Sequence, residues 1–151
     1  MDEHDDTPTR FPGAKTALVV DDVGIVRQLA FRLLSEAGFR VFEAASALEA
    51  LEVLEMARGR VDLVLVDVVL GEVNGVDLVR LIREQWPEPR IVFMSAHPAE
   101  VLVREGLANP NVLFLAKPFT RQELFEIIRR ALHGVRRPNG ESSEVRRPGD
   151  L

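Results

Sequence analysis

The sequence predicts an α/β fold in which a parallel sheet carries helices on both faces. Five short apolar runs, rich in valine and leucine, each have the length of a strand, and segments with helical periodicity follow them. This alternation is typical of parallel strands joined by right-handed crossovers. Four of the runs end in a polar or charged residue, which predicts a functional site at one edge of the sheet.

The length and composition predict one globular domain with a substantial core. The chain has 151 residues, of which 46% are hydrophobic, and it contains no cysteine, so disulfides and thiolate metal sites are excluded. No apolar run has the length of a membrane span, and the polar N-terminus lacks the pattern of a signal peptide. We therefore expect a cytoplasmic protein, and the net charge of −5 argues against nucleic acid as its main partner.

The chain divides into a domain and two tails. Residues 1–14 are acidic and contain proline and glycine, and we expect them to be disordered. The periodic apolar pattern predicts the folded domain at residues 15–134. Residues 135–151 are rich in Arg, Pro, Gly and Ser and should also be disordered. Because 17 residues follow Gly134, we expect no DNA-binding or enzymatic output domain.

The first two strand–helix units are marked by clear boundaries. Thr16–Val20 is a buried strand that ends at an acidic pair. The helix after it should end at Gly38, and its apolar face comprises Val26, Leu29, Ala30, Leu33, Leu34 and Ala37. Phe39–Ala44 is a weaker strand. Ser46 and Glu49 form a capping box for the second helix.

The central strand is predicted at Val61–Asp67. Its continuous apolar run indicates burial on both faces, and it stops at a carboxylate. Asp67 is therefore the first functional candidate, although an Asp at this position could instead start a turn or cap the next helix. That helix is predicted at Gly75–Gln85, with Leu78, Leu81 and Ile82 directed inward.

The last two units complete the pattern. Arg90–Met94 is a strand that ends in Ser95, and a short helix is predicted from about Pro98 to Gly106. Val112–Ala116 is the fifth strand. The final helix should start with a second capping box and end at Gly134; the box residues are Thr120 and Glu123. Five such units suit a doubly wound, flavodoxin-like (βα)5 sheet with strand order 2-1-3-4-5.

The strand ends bring a chemically coherent set of side chains to one edge of this sheet: Asp21, Asp22, Asp67, Ser95 and Lys117. Three close carboxylates repel one another unless a cation lies among them. Hard oxygen ligands suit Mg²⁺, while a lysine and a hydroxyl suit phosphoryl oxygens. An Asp in this setting can act as a nucleophile that takes up a phosphoryl group as an acyl phosphate.

Other phosphate chemistries do not fit the spacing. No P-loop or G-x-G-x-x-G motif follows any strand. Phosphatases of the haloacid dehalogenase type carry a second Asp two residues after the nucleophile, where this chain has Val69.

The region from about Lys15 to Gly134 resembles the receiver domain of two-component response regulators, of the CheY type. The motifs that carry the resemblance are Leu18–Asp22, Val64–Asp67, the Leu70 to Gly75 turn, Met94-Ser95-Ala96 and Lys117-Pro118-Phe119. One departure is Gly71, which stands where many receivers have proline.

The resemblance implies a role for each matched residue. Asp67 is the phosphoacceptor, and Mg²⁺ (or Mn²⁺) is bound by Asp22, Asp67 and the Val69 carbonyl, with Asp21 acting through water. Ser95 and Lys117 hold the phosphoryl oxygens. A cis bond before Pro118 aims the lysine. Phe114 matches the family's switch aromatic and acts with Ser95, although plain core packing also explains an aromatic residue here.

Two functions remain open. The first is a single-domain response regulator that accepts a phosphoryl group from a histidine kinase and switches a protein-binding face on the last helix and its neighbours. The second is a phosphorelay intermediate, or a receiver detached from a hybrid kinase, that passes the group to a histidine phosphotransfer protein. In neither case do we expect an enzyme beyond Mg²⁺-dependent self-phosphorylation and self-dephosphorylation.

Overall fold

A computed structural model describes residues 15–97, 100, 101, 104 and 112–133. Five parallel strands form the main sheet: β1 (Thr16–Val20), β2 (Arg40–Ala44), β3 (Leu63–Asp67), β6 (Arg90–Ser95) and β7 (Leu113–Ala116). Their spatial order is β2-β1-β3-β6-β7, so the predicted doubly wound order is confirmed. A separate antiparallel pair, β4 (Val69–Leu70) and β5 (Val73–Asn74), follows the central strand.

Helices cover both faces of the sheet. The described helices are α1 (Gly24–Glu36), α2 (Ala47–Met56), α3 (Gly75–Gln85) and α4 (Arg121–His133). Of the helix predicted from Pro98 to Gly106, residues 100, 101 and 104 are described and are helical, and the remainder lies outside the described residues. Both predicted tails, residues 1–14 and 135–151, also lie outside the described residues. In the described part of the chain, no helix is long and apolar enough to cross a membrane.

The sheet divides the core into two layers because successive side chains of a strand point to opposite faces. Leu63 and Leu65 of β3 pack with α1 and α4, and the apolar residues of those helices include Leu34 and Phe125. Val64 and Val66 pack in the other layer, with the buried residues of α2 and α3. Burial of β3 on both faces explains why its sequence is continuously apolar.

Local capping signals set the helix starts as the sequence predicts. Glu49 N–H donates to Ser46 Oγ at 3.1 Å, and the Glu49 carboxylate accepts the Ala45 N–H at 2.8 Å. The second box is reciprocal, with Glu123 N–H donating to Thr120 Oγ1 at 3.1 Å and Thr120 N–H donating to Glu123 Oε1 at 2.9 Å. The bonds donated by the Glu49 and Glu123 N–H groups satisfy donors that the first helical turn leaves without partners, and the bonds donated by Ala45 and Thr120 tie the preceding chain to each helix.

Three predicted details differ in the structure. β3 begins at Leu63 rather than at Val61, although Val61 is buried. Leu81 was expected to face inward, but 47% of its surface is exposed, and Val79 is buried in its place. The segment after Asp67 was expected to be a turn and instead forms the β4–β5 hairpin. Hairpin pairing is a contact between short segments that periodicity does not detect.

Candidate functional site

Strand register brings the predicted polar residues to one end of the sheet. Val20 pairs with Val66, so Asp21 follows β1 at the level where Asp67 ends β3. Asp67 itself pairs with Met94, the residue before Ser95. Ser95 pairs with Ala116, the residue before Lys117. Four strand ends therefore meet at the carboxyl edge, where open α/β sheets place their ligand sites.

Lys117 connects two of the carboxylates. Its Nζ lies 2.9 Å from Asp21 Oδ2 and forms a closer ion pair with Asp67 Oδ2. Asp21 is fully buried and Asp67 is 6% exposed. Asp21 Oδ1 accepts the Val23 N–H at 2.9 Å, whereas the buried Oδ2 faces the ammonium without a well-aligned hydrogen bond. The lysine thus balances charge that would otherwise be buried without compensation.

The protonation equilibria of this pair follow from burial and from charge. Burial raises the pKa of the Asp67 carboxyl group above its ordinary value, and this outweighs the lowering effect of Lys117 and of the Val69 N–H. Burial alone would lower the pKa of Lys117, but its pairing with Asp67 and Asp21 outweighs that effect and raises it. Lys117 therefore remains a cation at neutral pH.

Backbone groups fix the Asp67 carboxylate from the other side. Asp67 Oδ1 accepts the Val69 N–H at 2.7 Å, so the residue does begin a tight turn. It does not cap the next helix, because Asn74 Oδ1 accepts the Val76 N–H at 2.7 Å and takes that position.

The backbone N–H of Gly75 donates to the Val68 carbonyl at 2.6 Å, and a Cβ there would overlap the Asp67 carbonyl. The glycine therefore allows the hairpin to pack closely against the turn.

Asp22 is placed differently from its neighbour Asp21. Its side chain is exposed and its Oδ2 accepts the Gly71 N–H at 3.1 Å. Within the described ranges, no three acidic or histidine side chains are gathered closely enough to hold a metal ion as they stand.

The remaining predicted residues lie on β6, β7 and the loop that follows β7. Ser95 is 6% exposed, and its Oγ accepts the His97 N–H at 2.9 Å. Phe114 is partly buried and stacks on Phe93, with ring centroids 5.3 Å apart. Both packing and a switch role are compatible with that position. The Lys117–Pro118 bond is cis, the isomer that the resemblance implied.

Arg27 is a site residue that sequence reasoning missed. Its Nη1 donates to the Asp21 carbonyl at 2.7 Å, and its Nε pairs with Glu43 Oε1 at 3.1 Å. The side chain thereby ties the acidic loop to β2. Its place on the helix next to the acidic pair is a signal in retrospect, but an Arg on a helix surface is too common to be diagnostic.

Comparison with known proteins identifies the family. The model for the response regulator receiver domain matches residues 17–129. The chain belongs to the response regulator receiver domain family. The matched range contains all of the site residues described above. It also contains every strand of the sheet, apart from Thr16 at the start of β1.

Individual receiver relatives agree with this assignment. The chain is 36% identical over 124 residues to sensor kinase CckA of Brucella abortus, covering 82% of this chain but 13% of that protein. It is 29% identical over 115 residues to chemotaxis protein CheY of Thermotoga maritima, covering 76% of this chain and 94% of that protein. The structure of Vibrio cholerae chemotaxis protein CheY4 aligns with a TM-score of 0.71 at 29% identity, covering 80% of this chain and all of that one.

Proposed function

We propose that this receiver domain accepts a phosphoryl group on Asp67 from a histidine kinase or a histidine phosphotransfer protein. The observation that carries the proposal is the setting of that side chain. Asp67 is a nearly buried carboxylate at the end of the central strand, held by one lysine beside a second buried carboxylate. Membership of the receiver family supports the same assignment.

The transfer step requires a nucleophile and a group that receives the added charge. A carboxylate oxygen of Asp67 attacks the phosphorus of a phosphohistidine, and the P–N bond breaks as the P–O bond forms. The imidazole nitrogen keeps the electron pair and takes up a proton. Lys117 already contacts Asp67 Oδ2, so its ammonium is in place to bind an oxygen of the incoming phosphoryl group.

The donor set fits a hard divalent cation. Asp21, Asp22 and Asp67 supply carboxylate oxygens at one edge, and Asp21 Oδ2 is buried without a well-aligned hydrogen bond. We propose that these residues and the Val69 carbonyl hold Mg²⁺ or Mn²⁺, with Asp21 acting through water. When bound, the ion would neutralise charge on the phosphoryl oxygens. Lys117, which contacts both Asp21 and Asp67, would then share the balancing of their charge with the ion.

We propose that phosphorylation is transmitted through Ser95 and Phe114. The Ser95 hydroxyl presently accepts a backbone N–H, and its own proton is available to a phosphoryl oxygen. Phe114 lines a groove of about 510 Å³ between β7 and α4, which also involves Ile127 and Arg130. Ser95 pairs with Ala116 on the same strand as Phe114, and we propose that a shift of Ser95 changes the packing of Phe114 beside this groove. We propose that a downstream protein binds at α4 and its neighbours, where Arg121 and Gln122 are exposed and Arg129 is partly buried.

We further propose that the domain catalyses only its own phosphorylation and dephosphorylation, and that it acts in the cytoplasm. The described polar residues of the site are accounted for by acceptor, metal and phosphoryl binding. No additional acid–base pair is evident among them.

A phosphorelay role is the second candidate. It is favoured by the 36% identity to a segment that makes up 13% of a sensor kinase. In that case the phosphoryl group would leave Asp67 for a histidine of a phosphotransfer protein, by the reverse of the step above. Loss of label to an added histidine phosphotransfer protein, faster than hydrolysis, distinguishes the relay from the switch.

The acceptor proposal is tested by labelling with radioactive acetyl phosphate. We expect stoichiometric, base-labile label in the presence of Mg²⁺ and almost none after the metal is chelated. Asp67→Asn should abolish the label because an amide cannot form the acyl phosphate. Asp62→Asn is the matched control, since Asp62 lies at the opposite end of the β3 segment and bonds to Thr16 N–H. Full labelling of Asp67→Asn would refute the proposal.

A further inference from the structure

Gly71 forms the corner of the hairpin that follows Asp67. β4 and β5 pair antiparallel, with Leu70 opposite Val73, so Gly71 and Glu72 make the two-residue turn. Gly71 has φ of +59°, a left-handed conformation that L side chains rarely adopt. Proline cannot take this conformation because its ring fixes φ near −65°.

The same residue reaches across to the acidic loop after β1. Its N–H donates to Asp22 Oδ2 at 3.1 Å, linking residues 49 positions apart. A Cβ built on Gly71 would lie 3.9 Å from that oxygen, which is ordinary van der Waals contact. Space at this point is therefore not limiting. Gly71 contributes its left-handed backbone conformation and its N–H to this contact. Proline cannot adopt that conformation and has no N–H.

We propose that Gly71 is a positioning residue that orients the Asp22 carboxylate for divalent cation binding. The inference rests on the proposed function, in which Asp22 is a metal ligand. Asp22 is exposed, so without the hydrogen bond its side chain would sample several rotamers in solvent. A hydrogen bond from the surrounding protein to a ligating carboxylate reduces that freedom, and loss of such a bond typically weakens metal affinity by about 10- to 100-fold.

The link also couples two loops that the site needs together. Asp22 belongs to the loop after β1, and Gly71 belongs to the hairpin that directly follows the proposed phosphoacceptor. This hydrogen bond therefore links the two loops at the sheet edge. In receivers with proline at this position, that donor is absent.

The test measures Mg²⁺ binding itself, by calorimetric titration of the full chain with magnesium chloride and no phosphoryl donor. Gly71→Pro removes the N–H and the left-handed conformation. We expect its dissociation constant for Mg²⁺ to rise about tenfold. Gly71→Asn is the matched control, because Asn tolerates the left-handed region and keeps the N–H. Its dissociation constant should stay within about twofold of wild type.

Phosphorylation kinetics give a second readout that a general loss of structure would not reproduce. For Gly71→Pro, the Mg²⁺ concentration at half-maximal rate should rise, while the rate at saturating Mg²⁺ should stay close to that of wild type. Equal Mg²⁺ affinity for Gly71→Pro and wild type would overturn the inference. Equal weakening in Gly71→Pro and Gly71→Asn would also overturn it, because the N–H would then not be the cause.

Amide exchange settles the case in which Gly71→Pro does not fold. In Asp22→Ala, the Gly71 amide should exchange at least about tenfold faster than in wild type, if its acceptor is the Asp22 carboxylate. Unchanged exchange would contradict the inference. If wild type itself binds no Mg²⁺, the metal site of the proposed function is refuted. If wild type binds Mg²⁺ and Gly71→Pro binds it equally well, the role of Gly71 alone is refuted.

Discussion

Lys117 Nζ lies 2.9 Å from Asp21 Oδ2 and is also ion-paired with Asp67, so one ammonium stands between two buried carboxylates. Burial raises the pKa of the Asp67 carboxyl group, and the ammonium of Lys117 opposes that effect. Lys117 is therefore the cation that we propose binds an oxygen of the phosphoryl group once Asp67 is phosphorylated.

Alkaline unfolding should report on this lysine. The pKa of Lys117 is raised above 10.5 in the folded state, so its stabilising contribution is complete below pH 10.5 and is lost as the pH rises through the folded value. The chain contains no Tyr or Cys, and Lys15 is its other lysine. Denaturant titrations between about pH 9 and pH 12 should therefore show a fall in the free energy of unfolding that is governed largely by Lys117.

Lys117→Met should remove most of the fall in the free energy of unfolding at alkaline pH. Lys15→Met is the control and should keep that fall. Lys117→Met should also be less stable at pH 7, because Asp21 and Asp67 then lack a counter-charge. Parallel alkaline curves for wild type and Lys117→Met would show that the ion pairs do not carry the effect.

Gly59 and Trp86 provide a test of packing away from the site. Gly59 precedes the start of β3 and Trp86 precedes the start of β6, whereas the site lies where these strands end. Gly59 has φ of +72°, and a Cβ there would overlap the Trp86 ring. Gly59→Ala should lower the free energy of unfolding by about 2 kcal/mol or more, from the left-handed conformation and the displaced ring. Trp86 is the single Trp of the chain, so its fluorescence should change as well.

Gly24→Ala is the matched control for that substitution. Gly24 begins α1, and a Cβ there would meet its nearest atom, in Arg27, at 3.9 Å. Helix propensity predicts a stability equal to or slightly above that of wild type, with Trp86 fluorescence unchanged. Equal stability of the two variants would contradict the packing account.

Signal transmission is testable by comparing hydrogen exchange with and without beryllofluoride, which mimics the phosphoryl group when Mg²⁺ is present. We expect exchange to change in β7 around Phe114 and in α4, with smaller changes in α1 and α2. Ser95→Ala should confine the change to the neighbourhood of Asp67, because the hydroxyl that couples the two regions is lost. Ser35→Ala, at an exposed position of α1, should respond as wild type does. A wild-type response confined to the Asp67 loop would favour the relay role.

The sequence was sufficient for the sheet order and for the set of residues at its edge, because both follow from local patterns. A buried parallel strand that stops at Asp67 or Lys117 directs its last side chain to the carboxyl edge wherever the connecting helices lie. The limits of α3 were also predictable, since Asn74 and Gly75 mark its start and Pro87 stops it soon after its end.

Contacts between distant segments were not predictable in the same way. The bond between Gly71 and Asp22 depends on a left-handed turn and on the distance between two loops, which no periodicity encodes. The role of Arg27 depends likewise on the position of β2 relative to the acidic loop. Leu81 shows the limit of helical periodicity, which locates an apolar face but not the residues at its border.

The most direct test of the central claim is chemical mapping of the phosphorylated residue. Borohydride reduces an aspartyl phosphate to homoserine, and tryptic cleavage after Arg60 and Arg80 releases residues 61–80, which contain Asp62, Asp67 and Asp77. After phosphorylation with acetyl phosphate and Mg²⁺, fragment mass spectrometry should find homoserine at Asp67, with Asp62 and Asp77 unmodified as internal controls. Homoserine at either control position, or at no position in a protein shown to carry base-labile label, would contradict the account.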